Sequence, residues 1–169
     1  MDIHKEAQCY DMFYQADKLI EEKHFAEAIK TLEDILVENP EYGKAYNHLG
    51  WMFANKFSDT KKAEEFYKKS IFYSPEYPAA YLNLAYLYAD QKKWKELEEL
   101  VNKGLSIPGI NAANLYNEYA VMQELKGEYE DAIEKYKLAI RNSLVESNIE
   151  NYKAGIVRCT DKKKFFSTK

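Results

Sequence analysis

The residues able to do covalent or metal chemistry are few, and their spacing does not suit it. His4, His24 and His48 have no histidine or cysteine three or four residues further on, the spacing that sets two side chains over one another on a helix. A zinc site is therefore not expected. Cys9 and Cys159 stand singly near opposite ends, without a Cys-x-x-Cys pair, and read as free thiols of a reducing compartment. There is no glycine-rich phosphate loop, G-x-S-x-G elbow or H-E-x-x-H pair, each of which would carry a specific mechanism. The abundant carboxylates mostly sit beside lysines, as Glu64 and Glu65 do beside Lys68 and Lys69, which describes a solvated helix face. No catalytic residue, metal or cofactor is assigned, and an enzyme is not expected. Asn47, Asn83 and Asn117 carry chemistry of another kind. A side-chain amide donates and accepts, so it can pair with a backbone without selecting its sequence.

The formal net charge of −4 over 169 residues leaves no basic footprint for a phosphate backbone, so nucleic acid is not expected as the main ligand. No run approaches the 18 or so apolar residues of a membrane span, and the opening MDIHKEAQCYDMF has neither the basic nor the apolar region of an export signal. The expectation is a cytoplasmic protein. Three lysines and two phenylalanines in the tail DKKKFFSTK are too few to favour a membrane surface. That tail reads as a frayed end, a short extra turn or a partner-binding segment.

The elements that position these residues repeat. GEYEDAIEKYKLAI from Gly127 echoes KHFAEAIKTLEDIL from Lys23, DTKKAEEFYKKSIF from Asp59 and KKWKELEELVNKGL from Lys92. Small residues recur at Ala16, Gly50, Ala85 and Ala120, at intervals of 34, 35 and 35. Ala28, Ala63, Leu97 and Ala132 keep the same period, and Tyr46, Tyr81 and Tyr116 fall 35 apart. Agreement between three independent rows means a repeat array.

Helical periodicity predicts α-helices at about 3–22, 25–38, 43–55, 59–73, 78–90, 94–105, 112–126 and 129–142. Asn39-Pro40 and Ser74-Pro75 stop two of them, and Asp59 is placed to cap a third. A ninth helix over about 145–158 would cover the last apolar face, with Glu146, Ser147, Asn148 and Glu150 giving it a polar exterior. The organisation reads as one domain, 1–160, with repeats at about 9–42, 43–77, 78–112 and 113–144, then the capping helix and a polar tail, 161–169.

These residues closely resemble the tetratricopeptide repeat (TPR) family, whose unit of about 34 residues places an aromatic, a Leu and a small residue on its first helix. The second unit matches through Tyr46, Leu49, Gly50, Phe53, Ala63, Tyr67 and Pro75, and the third through Tyr81, Leu84, Ala85, Tyr88 and an early Pro108. The fourth lacks the closing proline and has Gln123 where an aromatic is usual. The resemblance implies an all-α, right-handed α-solenoid of four TPR-like helix pairs plus a C-terminal capping helix.

It also implies that the first helices line a concave groove for an extended peptide or a partner helix. One step round from the packing residues, that surface would carry Phe13 and Asp17, Asn47 and Trp51, Leu82 and Tyr86, Asn117 and Val121, with His48, Asn83 and Glu118 beside them. The basic clamp for a terminal carboxylate known in one subclass is absent, since the matching places hold Phe13, Asp17, His48, Ala79 and Asn83. Acidic residues near the surface make a neutral or basic protein or peptide ligand the expected partner. The reading is a non-enzymatic scaffold or adaptor that binds in its groove. Two alternatives stay open, a structural or self-associating module, which would include a homo-oligomer, and a small chaperone for a client subunit. The asparagines also admit plain solubility, and Trp51 and Tyr86 admit packing against a neighbouring unit.

Overall fold

The computed structural model describes residues 3–167. Among them the chain forms nine helices and no strand: α1 (Ile3–Glu21), α2 (Phe25–Glu38), α3 (Gly43–Asn55), α4 (Thr60–Tyr73), α5 (Pro78–Asp90), α6 (Trp94–Gly104), α7 (Ala112–Lys126), α8 (Tyr129–Arg141) and α9 (Glu146–Ser167). Contacts divide it into two compact units, Met1–Leu84 and Ala85–Lys169.

In the first unit α1 packs on α2, α2 on α3 and α3 on α4. The stripe read from α2 is buried at Ala28, Leu32 and Ile35, and these join Cys9, Ala16, Ala45, Leu49 and Met52 in one core. Gly50 sits at the closest approach of α3 and α4, where a Cβ would lie 2.7 Å from the Tyr67 ring. No side chain fits there without moving that ring. Tyr46 and Tyr81 donate their hydroxyls to the carbonyls of Pro40 and Pro75, at 3.0 and 2.8 Å. The prolines that stop two helices thus also present the acceptors that fasten the helices following them. Asp59 caps α4 by accepting from the Lys62 amide at 3.1 Å.

The turns inside the pairs share one device. At Lys23, Lys92 and Gly127 the backbone takes positive φ, 64°, 55° and 84°. In each turn the next amide reaches back to close the helix end: His24 to Leu19, Lys93 to Tyr88 and Glu128 to Gln123. This is the Schellman motif, which normally favours glycine at the left-handed position.

In the second unit α6 packs on α7, α7 on α8 and α8 on α9. Its core gathers Ala113, Ala120, Ala132, Tyr136, Ala139, Tyr152 and Cys159. Gly155 of α9 lies against Tyr136 of α8 so closely that a Cβ would come within 2.5 Å of the ring.

The expected end of the ninth helix is corrected, since α9 runs to Ser167 rather than to about 158. Its last turns are held by side chains distant in sequence. Lys162 Nζ donates to Glu124 Oε1 at 2.8 Å, Lys163 Nζ lies 2.6 Å from Glu130 Oε1, and Phe166 stacks on Tyr129 at 6.2 Å. Residues 161–167 are therefore docked helix rather than a tail, and the rest of the expected tail, residues 168–169, lies outside the described residues.

Candidate functional site

In the first unit a pocket of about 410 Å³ opens between α1, α3 and the start of α5, within the range of roughly 300–1,000 Å³ usual for binding clefts. Asp17, Ile20 and Glu21 come from one turn of α1, Asn47, His48 and Trp51 from α3, and Tyr77, Ala79 and Asn83 from the other wall. Five of the residues singled out from the sequence, Asp17, Asn47, His48, Trp51 and Asn83, therefore meet in one place.

The structure also shows what those residues already do. Asn83 Nδ2 donates to Asn47 Oδ1 at 3.0 Å, and Asn47 is almost wholly buried at 4% exposure. Asn47 is thus a support for Asn83, which keeps its own carbonyl and one N–H. His48 Nε2 stands 2.9 Å from Asp17 Oδ1, while Nδ1 lies 3.1 Å from the Lys44 carbonyl. Phe13 lies outside the lining, with its ring edge-on to His48 at 4.5 Å and tilted against Tyr42 at 5.6 Å. Trp51 packs partly on the core and carries Lys56 Nζ 5.1 Å from its ring centroid. Leu82 is half-buried and does not line the pocket.

Sequence reasoning missed Ile20, Glu21 and Tyr77. Ile20 and Glu21 follow Asp17 at i+3 and i+4, the spacing of side-chain neighbours on a helix, so they were available from the same stripe. Tyr77 stands just before a first helix, 35 residues after Tyr42, and the aromatic row counted along those helices did not include it. Burial raises the pKa of the Tyr77 hydroxyl, and the nearby Asp17 carboxylate raises it further.

In the second unit Tyr152 donates to Asn114 Oδ1 at 3.3 Å, and Asn114 Nδ2 donates to the exposed Tyr86 hydroxyl at 2.9 Å. Asn117 Nδ2 donates to Glu118 Oε1 at 3.1 Å. Burial pushes the Glu118 carboxyl above its ordinary pKa, the Asn117 bond opposes this, and Asp90 adds to the rise. Val121 packs against the core of this unit. Tyr86 is exposed, Asn117 and Glu118 are half-buried, and Val121 is only partly buried against that core. Asn114, one turn before Asn117 on the same helix, is the further polar residue that the sequence reading passed over.

Among the described residues no group of three His, Cys, Asp or Glu side chains is placed to hold a metal ion, and no helix is long and apolar enough to cross a membrane.

A family profile described as tetratricopeptide repeat matches residues 15–72. The solved structure of pilF from Pseudomonas aeruginosa superposes on 97% of this chain and 72% of its own, with a TM-score of 0.81 at 13% identity. Residues 15–72 are therefore similar to the tetratricopeptide repeat, and the chain as a whole shares the fold of that structure. MamA protein gives a TM-score of 0.68 at 18% identity over 94% of this chain and 88% of its own. Yeast Tom70 gives 0.81 at 14% identity, over 92% of this chain and 34% of its own. No match was found among curated protein sequences. At these identities the likenesses establish an all-α solenoid of helix pairs.

Proposed function

We propose that this protein is a non-enzymatic adaptor that holds a peptide or protein segment against the first helices of its repeats. The observation that supports this reading is the pocket of the first unit, where Asp17, Asn47, His48, Trp51 and Asn83 converge. Asn83 offers its side-chain carbonyl and one side-chain N–H to a ligand backbone there, and Trp51 and Tyr77 offer aromatic area with polar edges, the composition of interface hot spots. In the second unit Tyr86, Asn117 and Glu118 are the corresponding contacts. The cytoplasm suits a chain whose two cysteines are both buried and unpaired.

An affinity pull-down from the source cell tests the reading, comparing the wild type with a Glu21→Arg/Tyr86→Ala variant, both positions being exposed. Selective loss of a partner by the variant supports the groove. Equal recovery removes the binding site from these helices. A second reading, self-association through the outer helices, draws on Val37 of α2 and Phe72 of α4, each 77% exposed. A concentration-dependent mass in sedimentation equilibrium that Val37→Ser/Phe72→Ser abolishes would favour it.

A further inference from the structure

We infer that the pocket of the first unit recognises one basic side chain, an arginine or lysine of the partner polypeptide. The inference rests on the groove reading above and names what the groove selects.

Asp17 and Glu21 are four residues apart on α1 and both line the pocket, so two like charges share one wall. Among the described residues no lysine or arginine lines the pocket and no cation pairs with Glu21. The one basic group in the wall is His48, which engages Asp17 through Oδ1 at 2.9 Å and leaves Oδ2 for a second donor. Two carboxylates without a matching cation form a half-site for an ammonium or a guanidinium, and a guanidinium can bond both at once.

The rest of the pocket suits the stem that carries such a charge. Ile20, Trp51, Tyr77 and Ala79 give it apolar walls, and the methylenes of lysine and arginine lie along apolar surface while the head stays polar. Lys56 already occupies one approach to the Trp51 ring, so Trp51 contributes mainly contact area for the stem. Asn83, fixed by its bond to Asn47, stands where the flanking backbone of the ligand would pass. An acidic side chain would meet Asp17 and Glu21, and like-charge juxtaposition rejects it.

Selection from a fully randomised peptide library, followed by affinity measurement on the best binder, tests this. Bound sequences should be enriched in one arginine or lysine, and replacing an arginine by citrulline, which keeps the stem and removes the charge, should weaken binding by about tenfold, roughly the worth of one cation shared between two partly exposed carboxylates. Asp17→Asn/Glu21→Gln, checked for an unchanged melting curve, should lose the same factor for the arginine peptide and none for the citrulline peptide. Enrichment of apolar or acidic residues, still sensitive to groove substitutions, would overturn the basic pocket and leave the adaptor reading standing. Failure to select any peptide would count against both.

Discussion

Arg158 of α9 grips Glu124 of α7 through two parallel bonds, Nε to Oε1 at 2.6 Å and Nη2 to Oε2 at 2.7 Å. Tyr136 of α8 donates to the same carboxylate at 3.0 Å, and Lys162 adds a second cation at 2.8 Å. One nearly buried acid therefore ties three helices together. Its partners Arg158 and Lys162 remain about half in water, at 50% and 41% side-chain exposure.

That arrangement sets a pH dependence. Burial alone would raise the pKa of Glu124, but the bonds from Arg158, Lys162 and Tyr136 outweigh it and hold the value down to about 2. A carboxyl with a depressed folded pKa stabilises the fold above its unfolded value and loses that contribution as pH falls through the folded one. Resistance to urea should therefore fall as the pH drops from about 5 to about 2. Arg158→Met should cost about 1–3 kcal/mol at neutral pH, because the buried carboxylate loses two of its donors. The gap from wild type should close as the pH approaches the folded pKa, and a gap constant with pH would show that Arg158 acts through packing alone.

Gly50→Leu should destabilise by about 1–3 kcal/mol, since the added side chain must displace the Tyr67 ring. Thermal melts check this, and an unchanged melting temperature would contradict the packing at the α3–α4 crossing.

Lys23 and Lys92 hold left-handed backbone conformations where Gly127 has a glycine. Lys23→Gly and Lys92→Gly should each stabilise the fold by up to about 1 kcal/mol, because the left-handed region costs a side-chain-bearing residue roughly that much. Chemical denaturation of each variant measures it, and a loss of stability would mean that the lysine side chains hold those turns.

Asn83→Ala should cost about 1–3 kcal/mol by leaving the buried Asn47 amide oxygen without its donor. Asn83→Asp tests the same bond from the other side, because it removes the donor and sets a carboxylate against the Asn47 carbonyl. Denaturant midpoints of both variants separate this structural role from any effect on ligand binding.

The helix pairs were legible in the sequence because each repeat writes its closest approaches in small residues. Gly50 and Ala120 had to be small, and their spacing showed it. The end of α9 was not legible. Its last turns depend on Lys162 finding Glu124, 38 residues earlier, and no local pattern reports such a pair. The groove was legible in part. Helical spacing put Asp17, Asn47 and Trp51 on faces that meet in one pocket, but it could not show that Asn47 would be buried as the support of Asn83, 36 residues on. Nor could it show that Val121 would pack in part against the core, since an apolar residue on a first helix fits either place.

The central claim is that the first helices carry the ligand and the outer helices do not. Placing a photocrosslinking amino acid at Glu21 or Tyr86, and in separate proteins at Val37 or Phe72, tests it in the source cell. The account predicts one shared crosslinked partner from the first two positions, suppressed by Asp17→Asn, and none from the other two. A partner captured from Val37 or Phe72 but not from Glu21 or Tyr86 would contradict it.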